Sequence, residues 1–193
     1  GDGILYVLAV YGQTDTRLTE GIVGTTMTNF GLELACQEHG IAFERSNVGD
    51  RYVLEKMYAK SWTLGGETSG HIIQLDKSTT GDGLLTAISV LEVMQSTGMT
   101  LAELVSGLKI YPQRMTNVSI NSLGSAARLL DDQMVINAVR EAKSVLACDG
   151  RVVLRPSGTE PVIRVMVEGI DAEQVEMLTE RLTMAVESLS EKY

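Results

Sequence analysis

Proline and cysteine are scarce in this chain, with 3 and 2 residues among 193. Cys36 and Cys148 lie far apart and in no C-x-x-C pair, which excludes a disulfide framework or a zinc ribbon. Free buried thiols in a reducing compartment are the expectation. Basic charge is also short: 16 Lys and Arg face 25 Asp and Glu, a net charge of -9. That excludes the basic stripe a nucleic-acid surface needs, so no nucleic-acid partner is expected. It leaves a phosphorylated small molecule open, because a few arginines and backbone N–H groups suffice for one phosphate. No apolar run reaches the length of a membrane span and no signal peptide opens the sequence, so a cytoplasmic protein without membrane contact is expected. Asn117-Val118-Ser119 matches a glycosylation pattern, but no secretion signal accompanies it. There is no nucleotide P-loop, no G-x-G-x-x-G and no H-E-x-x-H.

What the chain does have is the composition of a globular protein, 44% hydrophobic and 21% charged. Its length suits one large or two small domains, enough to bury a core without staples. Hydrophobic period switches between helical and strand-like, which means mixed α and β structure. Residues 4–11 read as a buried helix or strand, and periodicity does not choose between them. Residues 22–25 and 41–45 read as strands, with a helix between them capped by Asn29 and stopped at Gly40. Asp50 is expected to cap the helix over 51–60. Residues 62–64 and 71–75 form a hairpin-like pair, and Thr80-Gly81-Asp82-Gly83 turns into a long helix, with a shorter one from Leu101. This alternation predicts an α/β domain with a mixed, largely parallel sheet over residues 1–111. Past Tyr111-Pro112 the order becomes β-α-β-β-α, a small α+β domain over 112–193.

Two polar clusters stand out. In GGETSGHIIQL, Glu67, Ser69 and His71 are spaced two apart, so an extended backbone would point all three the same way. The plain reading is a polar loop with an ordinary histidine. The functional reading is a polyol site, since a carboxylate accepts from adjacent sugar hydroxyls while hydroxyl and imidazole donate or accept. The neighbouring glycines would let backbone approach a ligand. In RPSGTEPVIR, the plain reading is a turn between strands. The flanking Arg155 and Arg164 shift the balance, because Ser157, Gly158 and Thr159 can form an anion nest beside a guanidinium fork. Asp50 and Arg51 open a helix in NVGDRYVLEKM, where a cation opposes the helix dipole.

Taken together, VGDRYVLEKM, GGETSGHIIQLDKSTTGDG and LRPSGTEPVIRVMVEG closely resemble the α-D-phosphohexomutase superfamily, on its glucosamine-phosphate branch. The resemblance spans nearly the whole chain and matches the family's third and fourth domains. One departure is Thr68, where Asn, Gln or Met is expected.

The resemblance implies an isomerase that interconverts glucosamine 6-phosphate and glucosamine 1-phosphate through a phosphoserine and a glucosamine 1,6-bisphosphate intermediate, in amino-sugar and cell-wall precursor synthesis. It implies that Glu67 and Ser69 hold ring hydroxyls and that His71 assists proton transfer or touches phosphate. It further implies that Arg155, Ser157, Gly158, Thr159 and Arg164 grip a phosphate, with Asp50 and Arg51 nearby. The family's T-A-S-H-N-P serine loop and D-G-D-x-D-R magnesium loop are not in this sequence. The expectation is therefore that Mg²⁺ and the nucleophile belong to N-terminal domains of the same polypeptide, that this chain holds no metal, and that alone it does not turn over substrate. An oligomer is compatible with the full-length form. The alternatives are a phosphomannomutase or phosphoglucomutase of the same superfamily, or a non-catalytic phosphosugar-binding module.

Overall fold

The computed structural model describes residues 1–12, 20–158 and 160–190. The chain divides into two compact units, Gly1–Ile110 and Tyr111–Tyr193.

The first unit opens with α1 (Asp2–Tyr11). This is the segment whose period left helix and strand unresolved. Leu5, Tyr6, Val7, Leu8 and Ala9 are all buried, so the helix is apolar on every side and carries no amphipathic signature. There follow β1 (Gly21–Thr25), α2 (Phe30–Glu38), β2 (Ala42–Ser46), α3 (Asp50–Lys60), β3 (Leu64–Gly66), β4 (Ile72–Gln74), α4 (Gly83–Thr97) and α5 (Leu101–Val105). The strands are ordered β2-β1-β3-β4. β1 pairs in parallel with β2 and β3, and β3 pairs antiparallel with β4, giving a mixed, largely parallel sheet.

Strand alternation sends neighbouring residues to opposite cores. Ile22 and Ile72 join Leu5, Leu32 and Leu104 under α1, α2, α4 and α5. Val23 and Ile73 join Val53, Met57 and Trp62 under α3. The unit is thus three layers, helices on both faces of one sheet. Asn29 caps α2 by accepting from Gly31 N–H, and Asp82 caps α4 by accepting from Leu84 and Leu85 N–H.

Asp50 does not cap α3. The N-cap is Gly49, at φ 123°, and Asp50 is the first helical residue, its carboxylate accepting from Arg51 N–H. Glycine takes the cap because no other residue adopts that backbone readily.

The second unit comprises β5 (Gln113–Ser119), a 3₁₀ turn, α6 (Ala126–Leu130), α7 (Gln133–Leu146), β6 (Gly150–Pro156), β7 (Val162–Gly169) and α8 (Ala172–Ser190). Its antiparallel sheet is ordered β5-β7-β6. Val118, Val152, Ile163, Val165 and Val167 pack with Leu178, Leu182 and Val186 of α8 in one core. The short α6 was not anticipated from the sequence, because five residues are too few to show a period.

Candidate functional site

In the first unit, β1 lies between β2 and β3, so the chain leaves β1 to one side and later returns on the other. The loops at the carboxyl ends of such strands are the preferred ligand position in open α/β sheets. Residues 67–71 form one of them, joining β3 to β4, and residues 47–49 form another, leading from β2 into α3.

The 67–71 segment is a tight turn and not an extended run. Gly70 N–H donates to Glu67 O at 2.9 Å and Glu67 N–H to His71 O at 3.0 Å, with Gly70 at φ 99°. The expected two-spaced row of Glu67, Ser69 and His71 therefore does not form, because the turn bends the backbone between them. The glycines before the motif also have a different cause from ligand approach. A Cβ at Gly65 would meet Met57 Sδ at 2.6 Å, and one at Gly66 would meet His71 O at 2.7 Å. Both are required by packing within the unit.

The turn nevertheless gathers polar groups. Glu67 Oε1 accepts from Gly49 N–H at 3.0 Å, tying the two loops together and leaving the carboxylate partly exposed. Ser69 is exposed. His71 Nε2 is shielded from solvent without a hydrogen-bond partner, and Asp50 Oδ2 lies 3.7 Å from it. The Gly81 backbone holds the imidazole there, since a Cβ on Gly81 would come within 2.5 Å of Nε2. Glu67, His71 and Asp50 are thus brought together around the two loops. Arg51 is not drawn in. Its Nε donates to Glu55 Oε1 at 2.8 Å one helical turn away, and its side chain is 81% exposed. The hydrogen bond to Glu55 raises its pKa. An i,i+4 ion pair answers the dipole argument without a further duty.

Two residues of this region gave no signal in the sequence. Asp2 is buried, and its carboxylate accepts from Asn29 N–H at 2.8 Å and from Thr68 Oγ1 at 3.0 Å. Arg45 braces the neighbouring loop, donating from Nη1 to the carbonyls of Thr25 and Thr28 at 2.9 and 2.7 Å and from Nη2 to Glu33 at 2.7 Å. A carboxylate followed by a helix, or an arginine inside a strand, has no spacing that marks such roles.

In the second unit, the β6–β7 hairpin sets Arg155 directly opposite Arg164, with Asn117 of β5 next in the same row. Ser157 N–H donates to Val162 O at 2.9 Å, and Ser157 Oγ accepts from Glu160 N–H at 3.3 Å, so buried Ser157 closes the turn. Gly158 is exposed, with nothing within 4 Å of where a Cβ would stand. Thr159 lies outside the described residues. Like charges directly opposed across strands repel. Both Arg155 Nε and Arg164 Nε are shielded from solvent without a hydrogen-bond partner, and Glu160 reaches Arg164 only at 3.9 Å. Burial and then the Arg164 charge lower the Arg155 pKa. Two half-buried arginines whose shielded Nε donors have no partner, beside a serine turn, have the chemistry that suits an anion with several oxygens.

Among the described residues, no group of three or more His, Cys, Asp or Glu side chains is placed to hold a metal ion. The described residues therefore do not fit a Mg²⁺ site. No helix among them is long and apolar enough to cross a membrane.

The family model for phosphoglucomutase/phosphomannomutase, alpha/beta/alpha domain III, matches residues 1–111, and that for the C-terminal domain matches residues 115–184. Phosphoglucosamine mutase of Halorhodospira halophila is 52% identical over 188 residues, covering 97% of this chain and 41% of the relative. That of Nitrosococcus oceani is 50% identical over 186 residues, covering 96% of this chain and 41% of the relative. The chain thus spans about two fifths of the length of the curated relatives it matches. Among solved structures, Aspergillus fumigatus N-acetylphosphoglucosamine mutase in complex with GlcNAc-6P and magnesium superposes with a TM-score of 0.77 at 18% identity, over 96% of this chain and 46% of that one. An N-acetylglucosamine-phosphate mutase in its substrate complex gives 0.78 at 17% identity, over 96% of this chain and 43% of that one. At such identities these two structures speak for the fold.

Proposed function

We propose, from the premise that the chain belongs to the phosphoglucomutase/phosphomannomutase family, that it supplies the sugar- and phosphate-binding loops of a phosphoglucosamine mutase. The observation that carries this reading is the cross-strand Arg155–Arg164 pair, whose Nε groups are desolvated and without partners beside the Ser157 turn. The identity of about half to relatives named phosphoglucosamine mutase supports the hexosamine over the hexose members.

Arg155 and Arg164 grip the phosphate that is not being transferred, and the Ser157–Gly158 backbone, with Thr159, completes the grip. Glu67 receives hydrogen bonds from ring hydroxyls through the carboxylate oxygen not engaged by Gly49, and exposed Ser69 adds a donor or acceptor. His71, with Asp50 near it, relays a proton or contacts phosphate. The reaction these groups serve moves a phosphoryl group from a phosphoserine to O1 of glucosamine 6-phosphate, giving the 1,6-bisphosphate. The 6-phosphoryl group then returns to the serine oxygen and leaves glucosamine 1-phosphate. The sugar binds in two orientations, so interactions common to both are spent on positioning the reacting oxygen. The serine and the Mg²⁺ belong to parts of the longer protein other than these residues, and no step here passes through the metal.

Calorimetric titration of the chain with glucosamine 6-phosphate, glucosamine, glucose 6-phosphate and mannose 6-phosphate tests this. The expected order places glucosamine 6-phosphate first and free glucosamine last, with Arg155→Ala abolishing the difference. Preference for mannose or glucose phosphate would move the assignment to those members, and equal, negligible affinity for all four would refute it.

A further inference from the structure

The loop that carries Glu67 and Ser69 is held by a residue outside its own motif. Asp2, in the first turn of α1, is 7% exposed. Both of its carboxylate oxygens are engaged, Oδ2 by Asn29 N–H at 2.8 Å and Oδ1 by Thr68 Oγ1 at 3.0 Å. The start of α1 also rests on the loop's main chain, since a Cβ on Gly1 would overlap the Glu67 carbonyl oxygen. Thr68 stands between Glu67 and Ser69, so whatever fixes its side chain fixes the backbone from which both neighbours project. The carboxylate sits where two helices begin, α1 and the Asn29-capped α2, and their N-terminal dipoles favour a negative charge there.

We propose that Asp2 and Thr68 form a latch that sets the sugar-binding turn against the β1–α2 loop, with Asp2 a positioning residue for the hydroxyl contacts of Glu67 and Ser69. The inference rests on the phosphosugar reading above for its ligand. It bears on the departure at position 68, because a threonine hydroxyl, like the amide of Asn or Gln, has a proton to donate to the buried carboxylate, whereas Met has none. A buried carboxylate oxygen that loses its donor is left desolvated and unpaired, so the latch needs a hydrogen-bond donor at this position.

The test compares Thr68→Val, Thr68→Ser and Asp2→Asn in the full 193-residue chain. Thr68 is exposed and Val matches its shape, so folding is not at stake in that pair. Two readouts are taken, amide hydrogen exchange at Gly70, whose N–H closes the turn, and affinity for glucosamine 6-phosphate. Loss of a hydrogen bond to a charged group predicts exchange at Gly70 about tenfold faster and binding about tenfold weaker in Thr68→Val. Thr68→Ser, which keeps the donor, is expected to stay within about twofold on both measures, and Ile73 exchange in β4 to stay constant throughout. Asp2→Asn is expected to fall between Thr68→Ser and Thr68→Val. Its amide can accept from Asn29 N–H and donate to Thr68 Oγ1, whose own proton turns to Met27 O, but without the charge. Equal behaviour of Val and Ser at position 68 would overturn the latch, as would faster exchange with unchanged affinity. Failure of the wild-type chain to bind at all would instead strike the phosphosugar reading, and Gly70 exchange would still decide whether the latch orders the turn.

Discussion

Replacing Arg164 by methionine separates the two roles a charged pair can have. In the hairpin, Arg155 and Arg164 are direct cross-strand partners, and neither Nε has a hydrogen-bond partner. Like charges so placed cost about 0.2–1 kcal/mol, and each shielded donor left unpaired costs on the order of 1–3 kcal/mol. Met keeps the stem and removes the cross-strand repulsion and the unpaired donor. It also removes the ion pair to Glu160 and the water contacts of the partly exposed guanidinium, which offset most of the donor penalty. The ligand-free second unit is therefore expected to be as stable as wild type or more so, by up to about 1 kcal/mol. For a domain of this size that corresponds to an upward shift of roughly 4–8 °C in its midpoint. With glucosamine 6-phosphate at about a hundred times its Kd, the wild-type unit should gain about 2.7 kcal/mol. The variant should lose most of that gain, because a charge-assisted bond to phosphate contributes about 1.5–3 kcal/mol. Trp62, the single tryptophan, lies in the first unit and is blind to this transition. The assay is therefore thermal unfolding followed by far-UV circular dichroism and by the amide signals of Ile163 and Val165, with and without ligand. A variant several degrees less stable without ligand would show that the guanidinium is a structural partner in the hairpin. A variant with an undiminished ligand shift would show that it is not an anion grip.

Three other outcomes are expected. Gly49→Ala forces a residue with a side chain to φ 123° and should destabilise the first unit by about 1–3 kcal/mol while weakening sugar-phosphate binding, both read by chemical denaturation and titration of one sample. Gly81→Ala pushes a methyl into the His71 ring, so the His71 imidazole resonances should shift while those of His39, the only other histidine, stay in place. Burial pushes the Cys36 thiol up to about 12, so it is protonated at pH 8, whereas Cys148 is exposed. A native thiol titration at pH 8 should count one fast equivalent, and the second only on unfolding; two fast equivalents would contradict the burial of Cys36.

Much of the fold was legible because caps and alternation are local. Asn29 and Asp82 announced their helices, and the β-α-β-β-α order of the second unit followed from the period. α1 was not legible as a helix, because a segment buried on all sides shows no face. At the site, residue types and spacing pointed to the right loops, but the geometry within them depended on turns that spacing does not encode. Glu67, Ser69 and His71 looked like a strand's row and fold as a turn. Asp50 looked like a cap and stands one residue inside, its place taken by a glycine whose backbone only the fold demands. Asp2 was invisible for a third reason, since its partners Asn29 and Thr68 are far away in sequence.

The order β5-β7-β6 has a consequence for how the second unit acquires its structure in time. Pro156 pairs with Ile163 across a short turn, whereas Gln113 must wait for Glu168. Closing the small loop costs far less chain entropy than closing the large one, so the β6–β7 hairpin can form while β5 is still searching. On a ribosome, β5 emerges first and has no partner until nearly the whole unit has been made, which leaves its strand edge unpaired for most of synthesis. The arginine-flanked turn is thus among the earliest parts of the unit to take shape. Substitutions in β5 should fall mainly on the unfolding rate, and those in the hairpin on the folding rate.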